Sequence, residues 1–368
     1  MSLIEPMWSA YYQIRGLLLS LRAGEPYRIA RALTSEAAHV STVGVRSHDR
    51  VILLLRTADE IARRINNPHV RGMLLLARGM AHYLEGCWRA ALTEFDHADE
   101  IFRQHCTGVS WEIDTAHTWA LRSMTYMGWF RELARRWPAL LSDARDHGDL
   151  YAVTILSTYI MAVVRLSQDA SEEAQVQLRQ VVERWSKQGF HVQHHNAVLA
   201  QVLIHLYQGN GVAALQHIRD RWPRYKNSLL LHVQQVRINI VLLRAQSAIA
   251  ASAATGAKPF LRAAEADARR LRREKMPWSD ALVPLILAGV AGVRGEGAKA
   301  IGLLREAIDR LHAVDMVIFT QAARRRLGQL LGGEEGRLLI EESEAWMGAE
   351  GIRKPARMTA VFAPGFPD

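Results

Sequence analysis

Cysteine is nearly absent: two residues in 368, Cys87 and Cys106. Two thiols make no disulfide framework, and neither sits in a metal-ligand spacing, so both are expected as reduced, partly buried cysteines of a cytosolic protein. Proline is scarce at 11, and the rest is rich in Ala, Leu and Arg, strong helix formers. No segment sustains a period-two alternation, so no strand is expected. Long apolar runs are missing too. The longest stretches, such as Ala281 to Val293, are shorter than a bilayer span and broken by Pro284 and Gly289. The start, Met1-Ser2-Leu3-Ile4-Glu5-Pro6, has no basic region followed by an apolar core, so no signal peptide is read. A soluble, cytoplasmic chain with no membrane partner is the expectation. Lysine is rare: only six of the 46 basic residues, so arginine carries the net charge of +9. That balance favours acidic partners, or reflects arginine-biased coding alone.

Enzymatic signatures are missing as well. There is no Walker A loop to cradle a triphosphate, and no Gly-rich loop with strand lysine, His-Arg-Asp loop or Asp-Phe-Gly triplet. Gly295-Glu296-Gly297 resembles the start of a dinucleotide fingerprint, but no strand precedes it and it reads as a turn. Neither catalytic residues nor a cofactor or metal are expected.

What the chain does have is a folded composition, 49% hydrophobic and 23% charged, and a period. A turn residue is followed five positions later by the first apolar residue of a helix, at Gly24, Gly86, Gly128, Asp169, Gly209, Gly256 and Gly295. After a first interval of 62, these are 42, 41, 40, 47 and 39 residues apart. Between them apolar residues recur at helical spacing, as at Ile52, Leu55, Ala58, Ala62 and Ile65, and at Val233, Val236, Ile240 and Leu243. Asn66-Asn67-Pro68 ends the first of these helices. Each unit therefore reads as two antiparallel helices of about 18 residues. Its second helix repeats a small-large-small pattern: Ala91, Phe95, Ala98; Ala174, Leu178, Val181; Ala300, Leu304, Ala307. Twelve residues before each set lies a small residue, Gly79, Ala162 or Ala288, letting the hairpin close tightly. This is the tetratricopeptide pattern stretched to a unit of about 42 residues.

The expected fold is thus all-α, a tetratricopeptide-like α-solenoid of antiparallel helix pairs over residues 1–347, with residues 348–368 as a tail or cap. The extra helix, Asp49 to Asn66, either inserts as an odd layer or pairs with Pro26 to Val43. Arg136-Trp137-Pro138, Arg184-Trp185-Ser186 and Arg221-Trp222-Pro223 recur in second helices, with the tryptophans packing between units and the prolines kinking or ending the helix.

A solenoid of this kind presents a concave groove lined by its first helices. Trp111, His117, Trp119, Tyr126, Tyr159, His194, Tyr207 and Arg237 are the residues expected to line it and bind a protein partner. His191 and His195, four apart, are a possible metal pair, but with no further ligand at spacing they read as surface or interface histidines. Arg269-Arg270-Leu271-Arg272-Arg273 and Arg324-Arg325-Arg326 read as solvated or docking faces with Leu271 turned inward, and a nucleic-acid-binding helical repeat is the alternative function.

Four stretches, in order along the chain, carry a resemblance. They are Leu17 to Pro26, Cys106-Thr107-Gly108-Val109-Ser110-Trp111-Glu112, Arg324 to Gly328, and Pro355-Ala356-Arg357-Met358 leading to Ala363-Pro364-Gly365-Phe366. Together they resemble the C-terminal region of large bacterial serine/threonine protein kinases, in which a kinase domain and an AAA/STAND-type ATPase precede a tetratricopeptide-like tail. The resemblance implies a regulatory, signal-receiving tail whose partner is the kinase–ATPase segment. Both upstream domains are missing here, so the chain is expected to be either a fragment or a free-standing homologue.

Overall fold

The computed structural model of the chain describes residues 6–185 and 188–367. Residues 1–5 of the N-terminal segment read as lacking a signal peptide, the serine of Arg184-Trp185-Ser186 and the last residue of the tail lie outside them. The described residues form 18 helices and no strand, an all-helical repeat solenoid. They are α1 (Pro6–Ala23), α2 (Pro26–Ser41), α3 (His48–Ile65), α4 (Pro68–Glu85), α5 (Trp88–His105) and α6 (Ser110–Met127). Then come α7 (Phe130–Asp146), α8 (Leu150–Ser167), α9 (Ser171–Arg184), α10 (Val192–Tyr207), α11 (Gly211–Asn227) and α12 (Gln234–Thr255). The last are α13 (Lys258–Arg273), α14 (Pro277–Val293), α15 (Gly297–Ala313), α16 (Val317–Leu331), α17 (Gly333–Ala349) and α18 (Pro355–Phe362).

Local chemistry sets these boundaries. All seven turn residues of the sequence period have positive φ, between 57° at Asp169 and 87° at Gly86. A left-handed residue returns the last carbonyls of a helix to hydrogen bonding, and glycine does so without strain. At the starts, Glu25 accepts hydrogen bonds from the Tyr27 and Arg28 amides, and Asn67 accepts one from Val70, with Pro26 and Pro68 at the first helical position. The prolines of the Arg-Trp-Pro triplets do not end their helices. Pro138 sits inside α7 and Pro223 inside α11, and both helices run on to Asp146 and Asn227.

The small-large-small positions pack as their sizes require. Ala91, Phe95, Ala98, Ala300, Leu304 and Ala307 are fully buried, whereas Val181 is half-buried. A Cβ on Gly79 would come within 2.5 Å of the Phe95 ring, so α4 and α5 approach where only glycine fits. The extra helix α3 lies along α2, and with the start of α4 they share a small core of Ala30, Leu33, Ala58, Ala62, Val70 and Leu74. Its inner face is the expected one at Leu55, Ala58, Ala62 and Ile65, except at its start, where Val51 is buried in place of Ile52.

From α4 onward the chain winds as two layers. The first helix of each pair is inside and the second outside, so that α10, α12 and α14 are buried nearly all round. The winding is tight enough to close on itself. Trp88 at the start of α5 meets Trp278 of α14, Arg89 pairs with Asp315 at 3.2 Å, and the Arg131 amide donates to Glu350. Helix α6 lies at the centre: Tyr126 bonds Asn239 of α12, and Gly128 abuts Ile318 of α16.

The tail packs on the last pair of the array, α16 and α17, and reaches inward from there. Helix α18 enters the interior, where Met358, Thr359, Val361 and Ala363 are buried. The Arg353 amide donates to Ser167 of α8, Gln246 of α12 donates to the Phe362 carbonyl, and buried Arg326 of α16 donates to the Ala363 carbonyl. Glycine 289 and Gly292 of α14 leave room for the backbone at Pro364 and Gly365. Two helices, Leu150–Ser167 and Gln234–Thr255, are long and apolar enough to cross a bilayer, contrary to the expectation from apolar runs. Each is 72% buried inside the fold, which accounts for its composition as that of a core helix.

Candidate functional site

The concave side is filled rather than open, and this redistributes the eight residues expected to line a groove. Trp119, Tyr126 and Tyr159 come together in the interior around Arg122. Tyr207 is buried elsewhere, donating its hydroxyl hydrogen to Asp169 at 2.8 Å, with Arg357 of the tail above its ring. Arg237 is held by Glu274 through two bonds of 2.8 and 2.9 Å. His117 lies 3.0 Å from Asp99, and His194 folds back to accept from the His191 amide at 3.0 Å. Trp111 is exposed on the first turn of α6. The last five therefore do not form one surface.

The interior cluster is built by α4, α5, α6, α8 and α10. The Trp88 and Tyr126 rings stack at 4.1 Å, and Tyr83 meets Trp119 edge to face at 4.7 Å. The guanidinium of Arg122 lies against Tyr83 and Trp119. Its Nε donates to the Tyr83 hydroxyl at 3.3 Å and its Nη1 to Asn196 Oδ1 at 3.2 Å. It also lies 5.9 Å from the Trp119 ring and 5.8 Å from that of Tyr159. Tyr159 belongs to a π-helical segment, Leu156–Ile160, in the middle of α8. Trp137 donates its indole hydrogen to the Leu156 carbonyl at 2.8 Å, fixing this irregular turn. Such segments are rare and recur at functional sites.

Burial governs the titration of the cluster. It pushes Tyr159 up to about 12 and holds Tyr126 well above the ordinary phenol range, with the neighbouring Tyr83 adding to both. The spacing places His195 at the surface or an interface with His191. It is fully buried instead, its Nδ1 2.7 Å from the Tyr225 hydroxyl. Burial, then the charge of Arg122, pushes its pKa down to about 3. His191 caps the start of α10, so the two histidines do not converge as a metal pair.

The cation clusters are largely spent on structure. Arg324 pairs with Glu342, Arg325 with Glu344 at 2.9 Å, and Arg326 is buried among tail carbonyls. Arg270 shares the buried Asp267 with Arg244, while Arg269, Arg272 and Arg273 are exposed and Leu271 is buried as expected.

One donor group escaped the sequence reading. His82, Glu85 and Cys87 bring ligand atoms within 4.8 Å of one another at the end of α4, and His48 Nδ1 lies 2.6 Å from Glu85. The signal was the His–Glu pair three apart in the last helical turn; Cys87 follows only because the Gly86 turn folds back. Burial, then Glu85 and Asp315, pushes the Cys87 thiol up. These residues could hold a divalent ion of the zinc type. At the N-terminal end a surface hollow of about 410 Å³ lies among Tyr27, Arg31, His69 and Glu112.

Compared with known proteins, the chain matches no family model and no curated protein.

Proposed function

We propose that the chain is a non-catalytic protein-interaction module of a bacterial serine/threonine kinase–ATPase signalling system, and that it binds its partner through the outer face of α1. The observation that carries this is an inversion of the usual amphipathic order. Towards α2 this helix turns Ala10, Gln13, Leu17 and Ser20, of which only Leu17 is strongly apolar. Towards solvent it turns Ile14, Leu18, Leu19 and Leu21, which are 52%, 50%, 56% and 51% exposed. Covering such a side chain completely is worth about 2 kcal/mol, so the half left open on each of the four is worth about 1 kcal/mol to a partner.

Ile14, Leu18 and Leu21 are four and three residues apart, the spacing of a helix–helix seam. Arg15 and Arg22, seven apart, flank it, and the described helix carries no acidic residue. The matching occupant is an amphipathic helix with an apolar seam and carboxylates along its flank. A second copy would set these arginines against each other. The resemblance to kinase–ATPase tails supports a segment of such a polypeptide as the source of that helix. The carboxylates and carbonyls already held by Arg270 and Arg324 to Arg326 favour a protein over a nucleic acid.

Two synthetic helices with the same leucine seam, one flanked by glutamate and one by lysine, test the reading by titration calorimetry. The acidic helix is expected to bind one to one. The basic helix is expected not to bind, and Leu18→Glu with Leu21→Glu should abolish binding without loss of helical signal. Equal binding of both helices, or none, would remove the assignment. Self-association of the chain would put a second copy on this face. Salt-sensitive retention of single-stranded nucleic acid in its place would favour the alternative.

A further inference from the structure

We infer that the interior of the array is a binding site for a small carboxylate, with the Arg122 guanidinium as its anchor and Trp119, Tyr83 and Tyr159 as its walls. The inference goes beyond the α1 reading and rests on different residues.

Arg122 is 8% exposed, and no carboxylate among the described residues lies within 4.0 Å of it. A cation taken out of water is costly unless an opposite charge and good hydrogen bonds replace its hydration. Two other buried or half-buried arginines of this fold show that compensation. Arg244 meets Asp267 at 2.6 and 2.7 Å, and Arg325 meets Glu344 at 2.9 Å. Arg122 instead makes two long bonds to neutral oxygens, at 3.2 and 3.3 Å, beyond the range of charge-assisted bonds.

The groups beside it are unsatisfied as well. Asn196 gives its carbonyl oxygen to Arg122, but its Nδ2 has no partner within the protein. Gln193, one turn earlier on the same face of α10, has neither its Nε2 nor its Oε1 bonded. His195 Nε2 is also without a partner, and all three side chains are buried. Buried polar groups are hydrogen-bonded in the great majority of cases, so the open Asn196 Nδ2 beside an uncompensated cation, with Gln193 one turn away, marks a place for a ligand. The π-helical turn of α8, which carries Tyr159, is a second and independent sign.

The charge of the deficit sets the class of ligand. One guanidinium matches one carboxylate, bidentately, whereas a phosphate dianion would bring an unneutralised negative charge into the core. Aromatic rings on three sides favour a flat, apolar body behind the carboxylate. Asn196 Nδ2 then supplies a donor to the same carboxylate.

Thermal unfolding of the full chain at fixed ionic strength, with sodium benzoate, benzyl alcohol or inorganic phosphate, tests this. Benzoate is expected to raise the midpoint saturably, by about 3 °C at a hundredfold excess over its Kd for a chain of this size. Benzyl alcohol should leave it unchanged, and phosphate should act less than benzoate. Arg122→Leu should abolish the response, with a midpoint in buffer equal to or above that of the parent, because a buried unpaired charge is gone. Asn196→Asp places a carboxylate beside Arg122 and should raise the midpoint while removing the benzoate effect; it carries the test alone if Arg122→Leu does not fold. No saturable response of the parent chain to benzoate, or a response kept in Arg122→Leu, overturns the inference. A stronger effect of phosphate overturns the carboxylate assignment. Binding of the acidic helix to α1, measured on the same variants, should be unaltered, so the two readings fail separately.

Discussion

The indole of Trp278 meets that of Trp88 edge to face, 5.6 Å between centroids, with both rings fully buried. Tyr126 stacks on Trp88 and approaches Trp278 at 5.8 Å, and a Cβ on Gly86 would run into the Trp278 ring. The consecutive helices α5 and α6 are therefore tied at one point to the distant α14, and the closure of the array depends on it. Trp278→Ala should cost about 3–5 kcal/mol, read as a fall in the urea midpoint. Trp111→Ala, at the exposed position on α6, should stay within about 0.5 kcal/mol of the parent. Similar losses at both sites would mean that the contact between α5 and α14 contributes little.

The tail tests whether the interior stands without its plug. Removing residues 355–368 exposes the apolar faces that Met358, Val361 and Phe362 cover and takes the Ala363 carbonyl from buried Arg326. The truncated chain should unfold at lower denaturant and bind a hydrophobic dye, since α14 and α16 lose their inner partner. An unchanged unfolding midpoint would show that α18 only decorates the array.

His195 should make the fold acid-sensitive in a defined window. Its folded pKa is held down at about 3 against an ordinary value of 6.5, so the unfolded chain binds the extra proton. Stability is complete above pH 6.5 and falls as pH drops from 6.5 towards 3, with about 2 kcal/mol lost by pH 5. Its surroundings are the Tyr225 hydroxyl, the Phe190–Tyr225 ring pair and the charge of Arg122. His217, pushed down to about 3 by burial and then by Arg221, adds to the same slope. Denaturation midpoints measured from pH 7.5 to 5 should fall, and His195→Gln should flatten the decline. An equal slope in that variant would assign the loss to other groups.

Much of the helical layout was legible because its causes are local. Each turn residue takes a left-handed conformation, and Gly79 faces Phe95 as the spacing of twelve and four implies. Misplacements are local too: Val51, not Ile52, opens the inner face of α3, one position or about 100° away, while Ala58 and Ala62 lie where the period puts them. The expected groove residues are spread out for another reason. Trp119, Tyr126, Tyr159 and Tyr207 do point inward, but inward here is a packed interior, because the turns of the array close on each other.

What the sequence determined by itself, then, is the run of helices and hairpins, since a 3.6-residue apolar period and a left-handed turn residue act within a few positions of each other. Only the tertiary structure decided that α5 meets α14, that the tail fills the centre, that Arg122 meets no acid among the described residues and that α1 shows its apolar face. Each of these depends on the small rotation between successive helix pairs, summed around the array, and on side chains that are far apart in the chain before they touch.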